Sequence, residues 1–383
     1  MSILNLKQLN IFDFLNKKTL NIATLCSGIG TPEIALKELG INFEIIFACE
    51  IDKFAKKTYL KNHKIDKNNF YLDIALFNAV AYLNKIDLLI FGSPCQPFSI
   101  AGLRKGFEDE RGKVFFDGIE RINECKPEIV IFENVKGLIS HDKGKTFQIV
   151  KDEFKRIGYT IKYRIFDSFK HGSNQERERI FLVAFKDTKK ASNFNIKDFE
   201  IKSNELYIED YLLPIEEIDS KYYLSKTARL FMNEDIKDGK RIKKGLYLKS
   251  RFEHSNINNS NNKKAYTLTA NYSKGCPHNV LIDERGCKDG FWTCDFAFCD
   301  DVCETCDWEN GSSNYQLNDI PTPAYRRMTP RECARIQGIP DSFIFPVSDS
   351  QAYKQIGNSM EIFTLKSLFQ KVYELNFKRE LVA

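Results

Sequence analysis

"NIATLCSGIGTPEIALKELG", residues 21–40, passes from an apolar run through a glycine turn into a helix-forming stretch. Residues 21–26 read as a buried strand and Ser27-Gly28-Ile29-Gly30 as a tight turn. Residues 31–39 read as a helix, with Thr31 as N-cap, Pro32 at its first position and Gly40 closing it. Working outward, residues 43–49, 86–91 and 128–132 are further apolar strands, with helical patterns over 115–125 and 146–157 between and beyond them. Strand and helix in alternation predict an α/β fold, a doubly wound and mostly parallel sheet. Residues 159–166 and 179–185 read as an antiparallel pair closing it.

At 383 residues, with 43% hydrophobic and 28% charged, the chain has the size and make-up of a globular protein with one large and one smaller domain. No apolar run approaches the ~18 residues of a membrane span, and the start, MSILNLKQLN, lacks a signal-peptide pattern. A cytoplasmic location is therefore expected, with the 11 cysteines as thiols or metal ligands rather than disulfides. A net charge of +5 is compatible with a polyanionic partner. Beyond residue 187 the βαβ rhythm stops: 188–264 is rich in Lys, Asn, Asp, Glu and Ser, and six cysteines fall within 276–306. A compact pattern resumes near Tyr325 and ends in an amphipathic helix over 359–377. Three segments result: a catalytic domain (1–187), a smaller irregular domain (188–324) and a C-terminal return to the first domain (325–383).

"CSGIG" (26–30) stands where a doubly wound sheet binds nucleotides. A dinucleotide fingerprint needs a third small residue, and Glu33 occupies that position. An anionic side chain at a helix N-terminus disfavours pyrophosphate and suits a ligand with positive charge. Glu50, ending the second strand, is placed for ribose hydroxyls, and Asp73 for an adenine amino group. The set favours S-adenosylmethionine over NAD; a glycine turn flanked by surface acids is the alternative. In "GSPCQPFSIAG" (92–102) a strand delivers Cys95, held between Pro94 and Pro97, to the sheet edge where such folds place their sites. It is a nucleophile if its pKa is lowered, and otherwise a packed structural cysteine. "PEIVIFENV" (127–135) delivers Glu133 to the same edge, where partial burial lets a carboxyl keep its proton and act as a general acid. "QERERIF" (175–181) places Gln175, Arg177 and Arg179 on one strand face; a solvated strand edge is the alternative.

In this order, "CSGIG", "GSPCQPFS", "GFEDERGKVFFDGIERI", "ENV", "QERERIF", "RRMTPRECARIQGIPDSF" and "AYKQIGNSM" resemble the cytosine-5 DNA methyltransferases. The resemblance covers residues 20–187 and 325–365, and what lies between corresponds to the family's variable target-recognition region. It implies an S-adenosylmethionine-binding domain, a smaller recognition domain and double-stranded DNA in the cleft between them. Cys95 matches the nucleophile that adds to C6 of a flipped cytosine, and Glu133 the glutamate at N3. Arg177 and Arg179 match the arginines positioning the base and the carboxylate. Gly28, Gly30, Glu50, Asp73 and Pro94 match cofactor contacts, with Asn358 closing that pocket, and residues 96–113 match a mobile loop over the base. Cys26 and Ile51 stand where the family often has aromatic or bulky residues against the adenine, which implies weaker stacking. "KAYTLTANYSKG" (264–275) matches a base-proximal segment.

The resemblance further implies a monomeric bacterial enzyme, associated with the nucleoid through DNA and accompanied by a restriction endonuclease. Cys303 and Cys306 form a C-x-x-C, with Cys294 and Cys299 nearby. Zinc bound there and reduced cysteines in an inserted loop are both open. Methylation of tRNA, or DNA binding without catalysis, are the rival functions; intact Cys95, Glu133, Arg177 and Arg179 oppose the second. An NAD-dependent oxidoreductase is opposed by Glu33.

Overall fold

The computed structural model describes residues 18–94, 110–199, 202, 206–223, 265–270, 280–283 and 324–377. Seven strands form the main sheet: β1 (Leu20–Leu25), β2 (Phe43–Cys49), β3 (Phe70–Tyr71), β4 (Leu88–Gly92), β5 (Ile129–Val135), β6 (Thr160–Asp167) and β8 (Glu178–Phe185). Their order is β3-β2-β1-β4-β5-β8-β6. Neighbours from β3 to β5 are parallel, while β8 runs antiparallel to both β5 and β6. The order reverses direction beside β1, which creates the crevice where such sheets bind ligands.

Two-sided burial explains the near-continuous apolar strands. Leu20 and Ile22 of β1 and Ile129 and Ile131 of β5 enter one core cluster. Their alternates, Ala23, Leu25, Val130 and Phe132, enter the other. The first cluster is covered by α1 (Thr31–Glu38) and α2 (Lys53–Asn62). The second is covered by α3 (Glu110–Cys125) through Phe115, Ile119 and Ile122, and by α4 (Lys145–Arg156) through Phe147, Val150 and Phe154. Three helices from the far end of the chain, α5 (Pro330–Ile336), α6 (Asp349–Asn358) and α7 (Ile362–Asn376), return to the first cluster. There α7 packs on α1, and Lys366 pairs with Glu38 at 2.8 Å.

Local details depart from the sequence reading. The N-cap of α1 is Gly30, at φ 82°, and Thr31 is the first helical residue. The turn needs a left-handed residue there, a geometry glycine adopts without a Cβ penalty. Residues 110–113, expected in the loop, already belong to α3. "QERERIF" is two strands: Gln175 and Glu176 form β7, paired in parallel with β9 (Ala265–Tyr266), and β8 starts at Glu178. The alternation survives the break, with Gln175 and Arg177 buried and Glu176 and Glu178 exposed. A small antiparallel pair, β10 (Val280–Asp283) and β11 (Ala324–Arg327), leads into α5.

Among the described residues, no helix is long and apolar enough to cross a membrane and no group of His, Cys, Asp and Glu could hold a metal ion. The six cysteines of the stretch 276–306 and Cys95 lie outside them.

Candidate active site and cofactor pocket

The glycine turn is built from left-handed residues, Cys26 at φ 53°, Gly28 at 57° and Gly30 at 82°. The Gly28 N–H donates to Glu50 Oε2 at 2.8 Å, and the Asp52 N–H donates to Oε1 at 2.8 Å. Burial raises the Glu50 pKa, and those two N–H groups oppose the rise. A side chain at Gly28 would meet nothing within 4 Å, so the turn opens onto free space beside that carboxylate. Asp73 accepts the Ala75 N–H at 2.9 Å, and Ile51 is 73% exposed at the same end of the sheet. Burial and the Glu50 charge push the Cys26 thiol up, so it stays protonated. Asn358, the last residue of α6, is exposed. An open turn beside a carboxylate, with no basic side chain among those residues, fits a ribose diol and a cationic sulfonium better than a polyphosphate.

Glu33, expected to face the ligand, is buried in the core. Its Oε1 accepts the Tyr59 hydroxyl at 2.5 Å and that of Thr24 at 3.3 Å. Thr24 in turn bonds Ser27 at 2.7 Å, and the Cys49 N–H donates to the Ser27 hydroxyl at 3.0 Å. Glu33 therefore acts on the turn through its supports.

At the same strand ends, next to β1, Gly92 of β4 sits opposite Glu133 of β5. Ser93 and Pro94 follow Gly92, and Cys95 comes next in the chain. Asn134 fixes this exit by donating to the Ser93 hydroxyl at 3.0 Å. Arg179 Nε lies 3.3 Å from Glu133 Oε1, with the side chains 19% and 12% exposed. Burial raises the Glu133 pKa, while Arg179 and then Arg177 pull it down. A carboxyl so held can retain a proton and offer it to a ring nitrogen.

Arg177 makes a different set of contacts. It donates to the carbonyls of Leu268 at 3.1 Å, Gly357 at 3.1 Å and Ser359 at 2.8 Å. Gln175 works beside it: Oε1 accepts the Leu268 N–H at 3.0 Å and Nε2 donates to Gln337 at 2.7 Å. A Cβ on Gly357 would lie 2.3 Å from the Ala270 nitrogen, so only glycine lets this backbone approach. This junction joins the catalytic sheet, the "YTLTA" segment and the C-terminal return. Sequence reasoning missed Gln337, Gly357 and Asn134; for Gln337 and Asn134, a polar residue inside the apolar patterns "RECARIQG" and "IVIFENV" was the available signal.

Sheet order, the switch-point crevice and a carboxylate-flanked glycine turn define the class: an S-adenosylmethionine-dependent methyltransferase fold. Within that class, the family model of the C-5 cytosine-specific DNA methylases matches residues 20–374, and the chain belongs to that family. It is 30% identical to the orphan methyltransferase M.SPRI of Bacillus phage SPR, over 94% of this chain and 99% of that protein. It is 32% identical to the type II methyltransferase M.DsaV of Dactylococcopsis salina, over 94% of this chain and 87% of the relative. Among solved structures, the Entamoeba histolytica methyltransferase EhMeth aligns with a TM-score of 0.66 at 18% identity, covering 93% of this chain and 98% of that one, a likeness of fold. Methyl transfer is the activity of the family, S-adenosylmethionine the donor this implies and DNA the substrate.

Proposed function

We propose that the protein methylates C5 of a flipped cytosine within a short DNA sequence through a covalent adduct to Cys95. The observation carrying this reading is the pairing of Gly92 with Glu133 at the strand ends, with Arg179 3.3 Å from the carboxylate. S-adenosylmethionine, when bound, supplies an electrophilic methyl group. Cytosine C5 is a poor nucleophile until a thiolate adds at C6 and makes the ring an enamine. Cys95 supplies that thiolate, Glu133 holds a proton at N3 as charge builds, and Arg179 orients Glu133. Once C5 has taken the methyl group, with S-adenosylhomocysteine as the leaving group, a base removes the C5 proton and the C6–S bond breaks to release Cys95. Extruding the base from the duplex costs a few kcal/mol.

Gly28, Gly30, Glu50, Asp73, Pro94 and Asn358 are the proposed cofactor contacts, with Glu50 toward the ribose. Residues 188–324 form the recognition domain, reading base edges with lysines on phosphates, and residues 325–383 complete the catalytic domain. We take the enzyme to be a cytoplasmic monomer that protects DNA against a companion restriction endonuclease. M.DsaV, a type II methyltransferase, is one relative that favours that reading.

The test is base-resolution 5-methylcytosine sequencing of DNA from a methylation-free bacterial host expressing the chain, with Cys95→Ala alongside. Methylated cytosines in one short motif, present only with the thiol, are expected. Methylation that persists in Cys95→Ala removes Cys95 from the nucleophile role. No DNA methylation by folded, cofactor-binding protein would move the substrate to the tRNA pool.

A further inference from the structure

We propose that His63 is a positioning residue for the cofactor turn, and that it ties the affinity of that turn to the docking of the C-terminal segment; the inference rests on the cofactor pocket proposed above. His63 ends α2, its N–H donating to the Tyr59 carbonyl at 2.9 Å. Its Nε2 lies 3.0 Å from the carbonyl oxygen of Ile29, inside the glycine turn. A carbonyl only accepts, so Nε2 carries the hydrogen. The same ring fills the space that a side chain at Gly30 would need: a Cβ there would fall 2.2 Å from Nε2 and 2.6 Å from Cδ2. Gly30 is thus glycine for two reasons, its φ of +82° and the imidazole beneath it.

The imidazole is itself held from two sides. Its centroid lies 4.6 Å from that of Tyr59 and 6.1 Å from that of Phe343, a residue of the C-terminal segment. Next to it, Asn62 donates to the Ile344 carbonyl at 2.8 Å and accepts the Ile344 N–H at 2.8 Å, a two-way clamp between α2 and that segment. Thus Phe343 and Ile344, far along the chain, set where the Asn62–His63 pair sits, and His63 sets the Ile29–Gly30 backbone. On the opposite side of the turn, Gly28 donates to Glu50. A ligand on the Gly28 side meets a turn already fixed from beneath, so less ordering remains to oppose binding.

The experiment is isothermal calorimetry of the full chain with S-adenosylhomocysteine, paired with steady-state kinetics and thermal melts. His63→Ala is expected to weaken binding about tenfold, the scale of one hydrogen bond plus lost packing. At saturating S-adenosylmethionine, kcat should stay within about threefold, because the change acts on binding. His63→Gln places an amide donor near the Nε2 position and should recover most of the affinity, whereas His63→Phe keeps a ring without a donor and should not. If the alanine variant does not fold, the Gln and Phe pair decides: Gln binding at least about threefold tighter than Phe supports the donor role. Folded variants that all bind within twofold of wild type overturn the inference while leaving the pocket standing. Wild-type protein that binds no S-adenosylhomocysteine overturns the pocket, and this inference with it.

Discussion

Arg326–Glu332 and Arg179–Glu133 are both guanidinium–glutamate pairs, yet their surroundings differ in every respect that matters. Arg326 grips Glu332 with two bonds, at 2.8 and 2.9 Å, and both side chains are 0% exposed. The Glu332 oxygens also accept the N–H groups of Thr329 at 2.7 Å and Leu213 at 3.0 Å. That carboxylate is saturated with donors and seals the junction of β11, α5 and the segment before Leu213. Glu133 has Arg179 on one oxygen at 3.3 Å, and its other oxygen lies beside Gly92, where the Met360 methyl also packs. A saturated pair is scaffold, whereas a buried carboxyl held by one cation at 3.3 Å keeps acceptor capacity for a ligand.

Breaking the saturated pair should have the largest effect. Arg326→Met leaves Glu332 charged, buried and short of two donors, so stability should fall by about 3–5 kcal/mol. Urea unfolding measures it, and adding Glu332→Leu should restore part of the loss, short by the ~1 kcal/mol of the helix cap. A single variant as stable as wild type would refute the scaffold role. Glu133→Gln comes next: transfer should slow by about 10²–10³-fold, since the amide cannot supply a proton at N3. Its melting temperature should stay level or rise, because a partly desolvated charge is removed. A stability loss matching that of Arg326→Met would erase the contrast between the two pairs.

Strands such as β1 and β5 were legible because two-sided burial leaves short apolar runs, and Glu133 was legible because one such run ends in a charge. In the closing pair, β8 was visible for the same reason, whereas the edge strand β6 buries only Phe166 fully. The junction around Arg177 was not: its acceptors are main-chain carbonyls, which leave no mark on residue type, and its partners lie 91, 180 and 182 positions away. Glu33 was misplaced because a helix N-terminus is ordinarily solvated. Here α7, from the other end of the chain, covers α1 and buries its residues from Thr31 to Leu36. At Gly30 two local signals competed, a hydroxyl suited to capping and a glycine suited to positive φ, and the demands of the turn won.

Glu361 sharpens the comparison by showing a buried carboxyl with neutral donors alone at hydrogen-bonding distance. It caps α7, accepting the N–H groups of Phe363 at 2.9 Å and Thr364 at 2.8 Å and the Thr364 hydroxyl at 2.7 Å. Burial raises its pKa from 4.5 to about 7, with those bonds and the charge of Arg177 pulling the other way. The folded value exceeds the unfolded one, so the group's contribution is fully present below pH ~4.5 and is lost as pH rises through about 7. Wild type should therefore lose about 3 kcal/mol relative to Glu361→Gln across that window. Denaturant unfolding at several pH values measures the difference, and parallel curves would show that Glu361 stays ionised throughout.

The exposed extreme of the series is Lys354–Asp52, at 2.6 Å with side chains 45% and 27% exposed. Asp52 caps α2 by accepting the N–H groups of Phe54 and Ala55, and its own N–H is bound by Glu50, so this pair ties α6 to the cofactor end of the sheet. The Lys354 hydrogen bond and those two N–H groups hold the Asp52 pKa low against its partial burial. Its contribution is therefore present at neutral pH and lost as pH falls through that depressed value. Water and salt screen both charges, so Lys354→Ala should change stability by only about 0.2–1 kcal/mol, an effect that fades with added salt. Glu332 and Asp52 both cap a helix and both accept from a cation, so the difference between several kcal/mol and a few tenths isolates what burial does to one kind of contact. A Lys354→Ala loss as large as that of Arg326→Met, insensitive to salt, would mean that burial is not the variable that separates them.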